Sequence, residues 1–256
     1  MFRVIAFGWY PYFVNIASNL LTLVIVGLVG WVVFVGTRRR QLRRFFGLDR
    51  SRKLRVYVSR LYIQSGTSLG VDGIRRSFDG SAVTVYEAEL IAKIQQFFDS
   101  VNPGFRQRWR PLRFLRWKDF DIQVIPSPTS KNEVHWDDPI LITGSPGYNA
   151  ASRAAEEDLR SIGRFTDDNR ALQIGNDPPI GEPDCCFVQR AADGVNGRMA
   201  FYVAGPSELG TRYATTYLLE RWRDLARSYP DGQPFCVVLR VTDPGGTNST
   251  ELRRVP

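Results

Sequence analysis

From Ile16 through Val35 the chain carries no charged residue. As a helix, this run of about 20 positions rises some 30 Å, the thickness of a bilayer's hydrocarbon core, and so predicts one transmembrane helix. Tyr10 and Tyr12 before it and Trp31 towards its end are amphipathic rings of the kind that settle at headgroup depth. Beyond it the pattern shortens. Leu54, Val56 and Val58 alternate with Arg55, Tyr57 and Ser59, the period of a strand, which is expected to run over 54–63. Gly66, Gly70 and Gly73 then space a long loop, and Tyr86, Leu90, Ile94, Phe97 and Phe98 recur at helical spacing over 82–98.

Further strands are predicted at 120–125, stopped by Pro126 and Pro128, and at 139–143, a short apolar run suited to a buried position. A turn and a helix follow over 150–162, then an irregular stretch at 165–183 rich in Asp, Asn, Gly and Pro. Residues 185–190 and 199–203 read as a hairpin around Asp193, Gly194, Asn196 and Gly197, which tolerate positive φ. Ala214, Tyr217, Leu218, Trp222 and Leu225 mark one face of the strongest helix, which must end before Pro230, and 235–241 closes the domain as a strand. Strands separated by helices, with one hairpin, predict a mixed and partly parallel sheet in a three-layer, Rossmann-like α/β domain. The organisation expected is a tail and transmembrane helix at 1–37, a basic juxtamembrane linker at 38–53 and an α/β ligand-binding domain at 54–256.

Charge sharpens this picture. The chain has a net charge of +8, yet residues 1–53 alone hold nine Lys or Arg against the single acid Asp49, so the remainder is neutral overall. A neutral domain argues against nucleic acid as the partner. Arg38, Arg39, Arg40, Arg43 and Arg44 follow the apolar run and only Arg3 precedes it, which by the positive-inside rule places the N-terminus outside the cell membrane and the domain in the cytoplasm. A secretion signal would carry its charge before a shorter apolar region. The same arginines can touch anionic lipid or serve as a topology signal alone. Six basic residues interleaved with Trp109, Phe114 and Trp117 over 105–118 suit single-stranded nucleic acid, docking on an anionic membrane or a solvated loop, with the membrane favoured over nucleic acid because the anchor holds the segment near lipid. Three cysteines support no extensive disulfide framework, and the single His135 excludes a multi-histidine metal site. The sequence indicates no metal and no particular cofactor.

Two strand-to-helix turns share one grammar. Gly144, Ser145, Pro146, Gly147, Tyr148 and Asn149 follow one apolar strand; Gly205, Pro206, Ser207, Glu208, Leu209, Gly210 and Thr211 follow another. Such turns let backbone N–H groups approach a phosphate or carboxylate at a helix N-terminus, and in an open α/β sheet they lie where ligands bind. The first glycine loop adds Ser65, Thr67, Asp72, Arg75, Arg76 and Ser77, in which the arginines can hold an anion bidentately and Asp72 can accept from ribose hydroxyls. Each feature also has a plain structural explanation: Gly for a tight turn, Ser207, Asn149 or Thr211 as a helix cap, and a loop tied by surface ion pairs. Glu87 and Glu208 stand in first helical turns, where acids complement the dipole; facing one pocket, they are a candidate acid/base or nucleophile/acid pair at a glycosidic carbon. Ser145, Ser207 and Cys186 are nucleophile types without an evident base, because His135 sits in an acidic, exposed segment.

The turn from Gly205 to Thr211 resembles the glycine and Gly-Thr turns of Rossmann-like nucleotide-binding sensor domains and of nucleoside-processing enzymes, over about a dozen residues. That is a likeness of fold, which does not itself confer an activity. The reading adopted is a membrane-anchored sensor or effector that binds a nucleotide-like or other anionic small molecule, with the bilayer as partner and a homo-oligomer as one mode of coupling. The alternatives are a membrane-tethered enzyme acting on a nucleotide or nucleoside through Glu208 or Glu87, and an interaction module with no small ligand.

Overall fold

A computed structural model describes residues 5–49, 51–59, 61–69, 75–82, 85–101, 121–159, 161–182, 184–192, 199–230, 232–242 and 249–256. Two compact units divide the chain, Met1–Gln41 and Leu42–Pro256. The first is helical within α1 (Ile5–Phe45), which contains Val14–Phe45, a stretch long and apolar enough to cross a membrane. Leu20, Leu23 and Val26 on it are exposed. Gly47, with φ of 72°, ends the helix: its N–H donates to Arg44 O at 3.2 Å and Leu48 N–H to Arg43 O at 2.7 Å, the paired bonds of a left-handed glycine cap.

The second unit is built on a seven-stranded sheet. Its strands are β1 (Lys53–Val58), β4 (Asp121–Pro126), β5 (Ile140–Thr143), β8 (Cys185–Ala192), β9 (Met199–Ala204), β10 (Phe235–Val241) and β11 (Ser249–Val255). In space they run β11-β10-β8-β9-β5-β1-β4. The β4, β1, β5 and β9 half is parallel; β8, β10 and β11 pair antiparallel. The mixed α/β sheet thus has one half made by crossovers and one half made by direct returns.

Alternation along the strands sorts the core into two faces. Leu54, Val56 and Val58 of β1, Leu141 of β5, Phe201 and Val203 of β9 and Phe235 and Val237 of β10 pack with α2 (Val85–Val101) and α4 (Glu208–Ser228), through Leu90, Ile94 and Phe98 and through Leu218, Trp222 and Leu225. Leu42, Phe45, Phe46 and Leu48, from the segment expected to be a linker, are buried in the same cluster. The opposite face, with Tyr57, Ile142, Phe187 and Tyr202, is covered by α3 (Ala150–Asp158) and by a two-stranded ribbon, β6 (Gly163–Phe165) and β7 (Leu172–Ile174). Burial of this kind contributes roughly 1.5–3 kcal/mol per large apolar side chain.

One buried cation is built into the first face. Arg190 on β8 is 1% exposed, lies 5.2–6.0 Å from the ring centres of Phe45, Phe201 and Phe235, and donates Nε to Gln233 O at 2.8 Å and Nη2 to Tyr229 O at 2.6 Å. Tyr229 caps the C-terminus of α4, so the guanidinium meets the negative end of the helix dipole. Burial lowers its pKa to about 10, and it stays charged at neutral pH.

Several expectations are corrected. Where a glycine-spaced loop was expected, β2 (Leu61–Leu69) pairs antiparallel with β3 (Arg75–Ala82), the register shifting between Ile63 and Gly66, while Gly70 and Gly73 lie outside the described residues. The glycines within these strands break side-chain alternation without removing backbone donors, which is why the stretch read as loop. The irregular stretch contains β7 and begins at the last residue of β6, and β10 does not close the sheet because β11 adds an edge. The helix after β5 stops at Asp158. Tyr86, expected on the core face of its helix, is 48% exposed. Asp72, the 105–118 segment and the turn residues Asp193, Gly194, Asn196 and Gly197 lie outside the described residues.

Candidate functional site

The path of the chain creates a crevice. From β1 it crosses through α2 to the outer strand β4, then returns to β5 on the other flank of β1, and the helix after β5 lies on the opposite face from those after β1 and β9. Where successive connections leave a parallel sheet to opposite sides, a gap opens beyond the carboxyl ends of the strands. A cavity of about 250 Å³ lies there. Its walls are Ser59 after β1, Gly144, Ser145 and Tyr148 after β5, Gly205 to Glu208 with Thr211 and Arg212 after β9, and Tyr86, Glu87 and Leu90 from α2.

Of the residues expected at a site, Gly144, Ser145, Gly205, Ser207, Thr211, Glu87 and Glu208 border this one cavity. Gly147, Asn149 and Gly210 do not. Arg75 and Arg76 lie on β3, where only the backbone is described.

Hydrogen bonding separates framework from free chemistry. Asn149 is 1% exposed; its Oδ1 accepts from Ala151 N–H at 2.9 Å and its Nδ2 donates to Thr143 O at 2.8 Å and Tyr57 O at 3.3 Å. It is a helix cap that also ties β1 to β5. Ser207 caps α4 by accepting from Gly210 N–H at 3.1 Å, and Thr211 Oγ1 accepts from Gly205 N–H at 3.2 Å while donating to Ser207 O at 3.3 Å. Gly144 has φ of 92°, and Ser59 Oγ, which donates to Thr143 O at 3.3 Å, occupies the place a Cβ there would need. At Gly205 a Cβ would lie 2.9 Å from Gly210 Cα and 3.1 Å from Cys186 Cβ. At Gly147 it would meet only Asn169 at 3.6 Å, an ordinary contact.

Two groups on the cavity are uncommitted among the described residues. The Ser145 side chain is only 9% exposed and its hydroxyl has no hydrogen-bond partner; the exposed Glu208 carboxylate has none either. Glu87 is half-buried, and Arg212 pairs with Glu89 at 3.3 Å.

Other candidates withdraw. Cys185, Cys186 and Cys236 are buried free thiols; burial, aided for Cys185 by Glu182, pushes Cys185 up to about 11 and Cys186 up to about 12, so neither is a ready nucleophile. Glu182, Asp184 and Cys185 gather within 4.8 Å, but Arg240 bridges Glu182 and stands 4.0 Å from Asp184, an ion-pair cluster. His135 is exposed beside Asp137 and Asp138. On α3, burial raises Glu156 to about 7, although it accepts from Phe165 N–H at 3.1 Å and Tyr202 OH at 2.9 Å. It lies off the cavity.

Ser59, Tyr86, Leu90, Tyr148, Pro206 and Arg212 are the wall residues that sequence reasoning did not assign to a site. Ser59 falls inside the strand expected over 54–63, which ends instead at Val58, whereas Tyr148 was legible as a large aromatic beside Gly147. No family model matches this chain, and no characterised protein or solved structure matches it either.

Proposed function

We propose that this chain is a membrane-anchored protein whose Rossmann-like, three-layer domain binds a nucleotide-like small molecule in the crevice and acts at the cytoplasmic side of the cell membrane as a sensor or effector. One observation carries the reading: at the reversal point of the parallel half-sheet, both glycine turns and two helix starts border a single cavity that holds the unpartnered Ser145 hydroxyl. The anchor rests on the apolar stretch of α1, and the orientation on the arginines that follow it.

The test is to denature full-length protein purified in detergent and identify by mass spectrometry the small molecules released. A near-stoichiometric nucleotide-class species is expected; release of none from protein prepared without dialysis contradicts the reading. Protease added to intact cells should spare the domain, and its digestion with the membrane intact would reverse the orientation.

That Glu87 and Glu208 share the cavity favours a second reading, a tethered enzyme acting at a glycosidic carbon. Glu208→Gln separates the two. A sensor loses roughly 0.3–1 kcal/mol of stability at the helix start, whereas an enzyme loses turnover by a factor on the order of a hundred or more with binding intact.

A further inference from the structure

We propose that the cavity takes a nucleoside moiety, a planar heteroaromatic base on a hydroxylated sugar, with the base against Tyr86 and Tyr148 and the sugar hydroxyls donating to the Glu208 carboxylate. This deepens the ligand-binding reading above and rests on it. Tyr86, in the first turn of α2, and Tyr148, in the turn after β5, stay 48% and 61% exposed while bordering the same cavity. Rings kept at the rim of a polar crevice, outside the core, present open faces on which a base can stack, a contact available to any base.

The charged groups point the same way. Among the described walls the uncommitted charge is the Glu208 carboxylate, and their one guanidinium, Arg212, is already paired with Glu89. An ionised carboxylate only accepts hydrogen bonds: it suits sugar hydroxyls and repels a phosphate placed beside it. The nearly buried Ser145 hydroxyl can both donate and accept, so it can meet a third polar atom of such a ligand. A volume of about 250 Å³ lies just below the usual range for small-molecule sites and leaves room for one nucleoside but not for a dinucleotide. Any phosphates the ligand carries are therefore directed out of the cavity.

The experiment uses full-length protein in detergent, titrated calorimetrically with adenosine, guanosine, cytidine and uridine, each beside its 5′-triphosphate, and with inorganic phosphate alone. At least one nucleoside is expected to bind within about threefold of its triphosphate, and Tyr148→Ala and Glu208→Gln each to weaken it roughly tenfold. Tyr148→Phe should keep binding, and because the Tyr148 side chain is exposed its variants should keep the wild-type thermal midpoint, with Glu208→Gln showing only the small drop expected of a lost helix-start charge. Triphosphates that bind more than about tenfold tighter than every nucleoside, or phosphate that competes with the nucleoside, would overturn this inference and leave the ligand-binding reading standing. If the panel fails to bind but another small molecule is retained, the inference again fails alone. If nothing binds and nothing is retained, both fail.

Discussion

The turns after β5 and β9 look alike in sequence, each a glycine, a proline and a serine leading into a helix, but they solve different problems. Gly144 answers a backbone demand: φ of 92° and a Ser59 side chain where a Cβ would stand. Gly205 answers a packing demand, because its turn lies flush on Gly210 and Cys186. The first turn is sealed by a buried asparagine that binds two strands, the second by a half-buried serine and a threonine latch. In both, polar groups that sequence reasoning reserved for a ligand are occupied by the protein. What remains for a ligand is carried by side chains between them: Ser145, Glu208 and the two tyrosines.

Substitutions in the two turns test this contrast. Gly205→Val should be the most damaging, at about 3 kcal/mol or more, since its nearest obstacle is backbone. Thermal unfolding of the full-length chain in detergent would show this, with each 1 kcal/mol moving the midpoint by about 2–4 °C. A normal midpoint would refute the packing role.

The helix after the first turn should also respond to pH. Burial raises Glu156 from 4.5 to about 7. Between those values the unfolded chain releases its proton first, so stability falls as pH rises and levels off above about 7, a loss on the order of 2–3 kcal/mol. Glu156→Gln, which can still accept from Tyr202 and Phe165, should unfold at a higher temperature than wild type at pH 8 and lose that advantage at pH 4.5. An equal difference at both values would mean that the carboxyl is not the titrating group.

Smaller effects rank the caps. Asn149→Ala should cost about 2 kcal/mol and Ser207→Ala about 1 kcal/mol, an order that reverses if the second turn is the more tightly tied. Gly147→Ala should fall within about 0.5 kcal/mol of wild type, because its Cβ enters an ordinary contact. A larger loss would show that Gly147 shares the constraint of Gly144.

Much of the fold was legible where burial imposes a period. β1, β5, β8, β9 and β10 each alternate between two covered faces, and Leu218, Trp222 and Leu225 mark the inward stripe of α4. Legibility failed where the period carries no burial. Gly66 and its neighbours hide β2–β3, and β11 is an edge with exposed Glu251, Leu252, Arg253 and Arg254. At the site, the two turns and both glutamates could be read from helix-start chemistry. Tyr86 could not: it continues the stripe of Leu90 and Ile94 one turn further and so extends past the core to the rim. Nor can a sequence tell that Asn149 and Thr211 spend their hydrogen bonds on the framework, since capping and ligand binding favour the same residue types.

The central claim is that the gap between these turns is a ligand site, and native mass spectrometry of the full-length protein, wild type beside Ser145→Trp, tests it most directly. Tryptophan at the nearly buried Ser145 would fill the cavity from its wall. A small-molecule adduct is expected on the wild type and lost from the variant, with Tyr148→Phe, a change confined to the rim, keeping it. An adduct retained by Ser145→Trp at the same stoichiometry would place the ligand elsewhere and contradict the account.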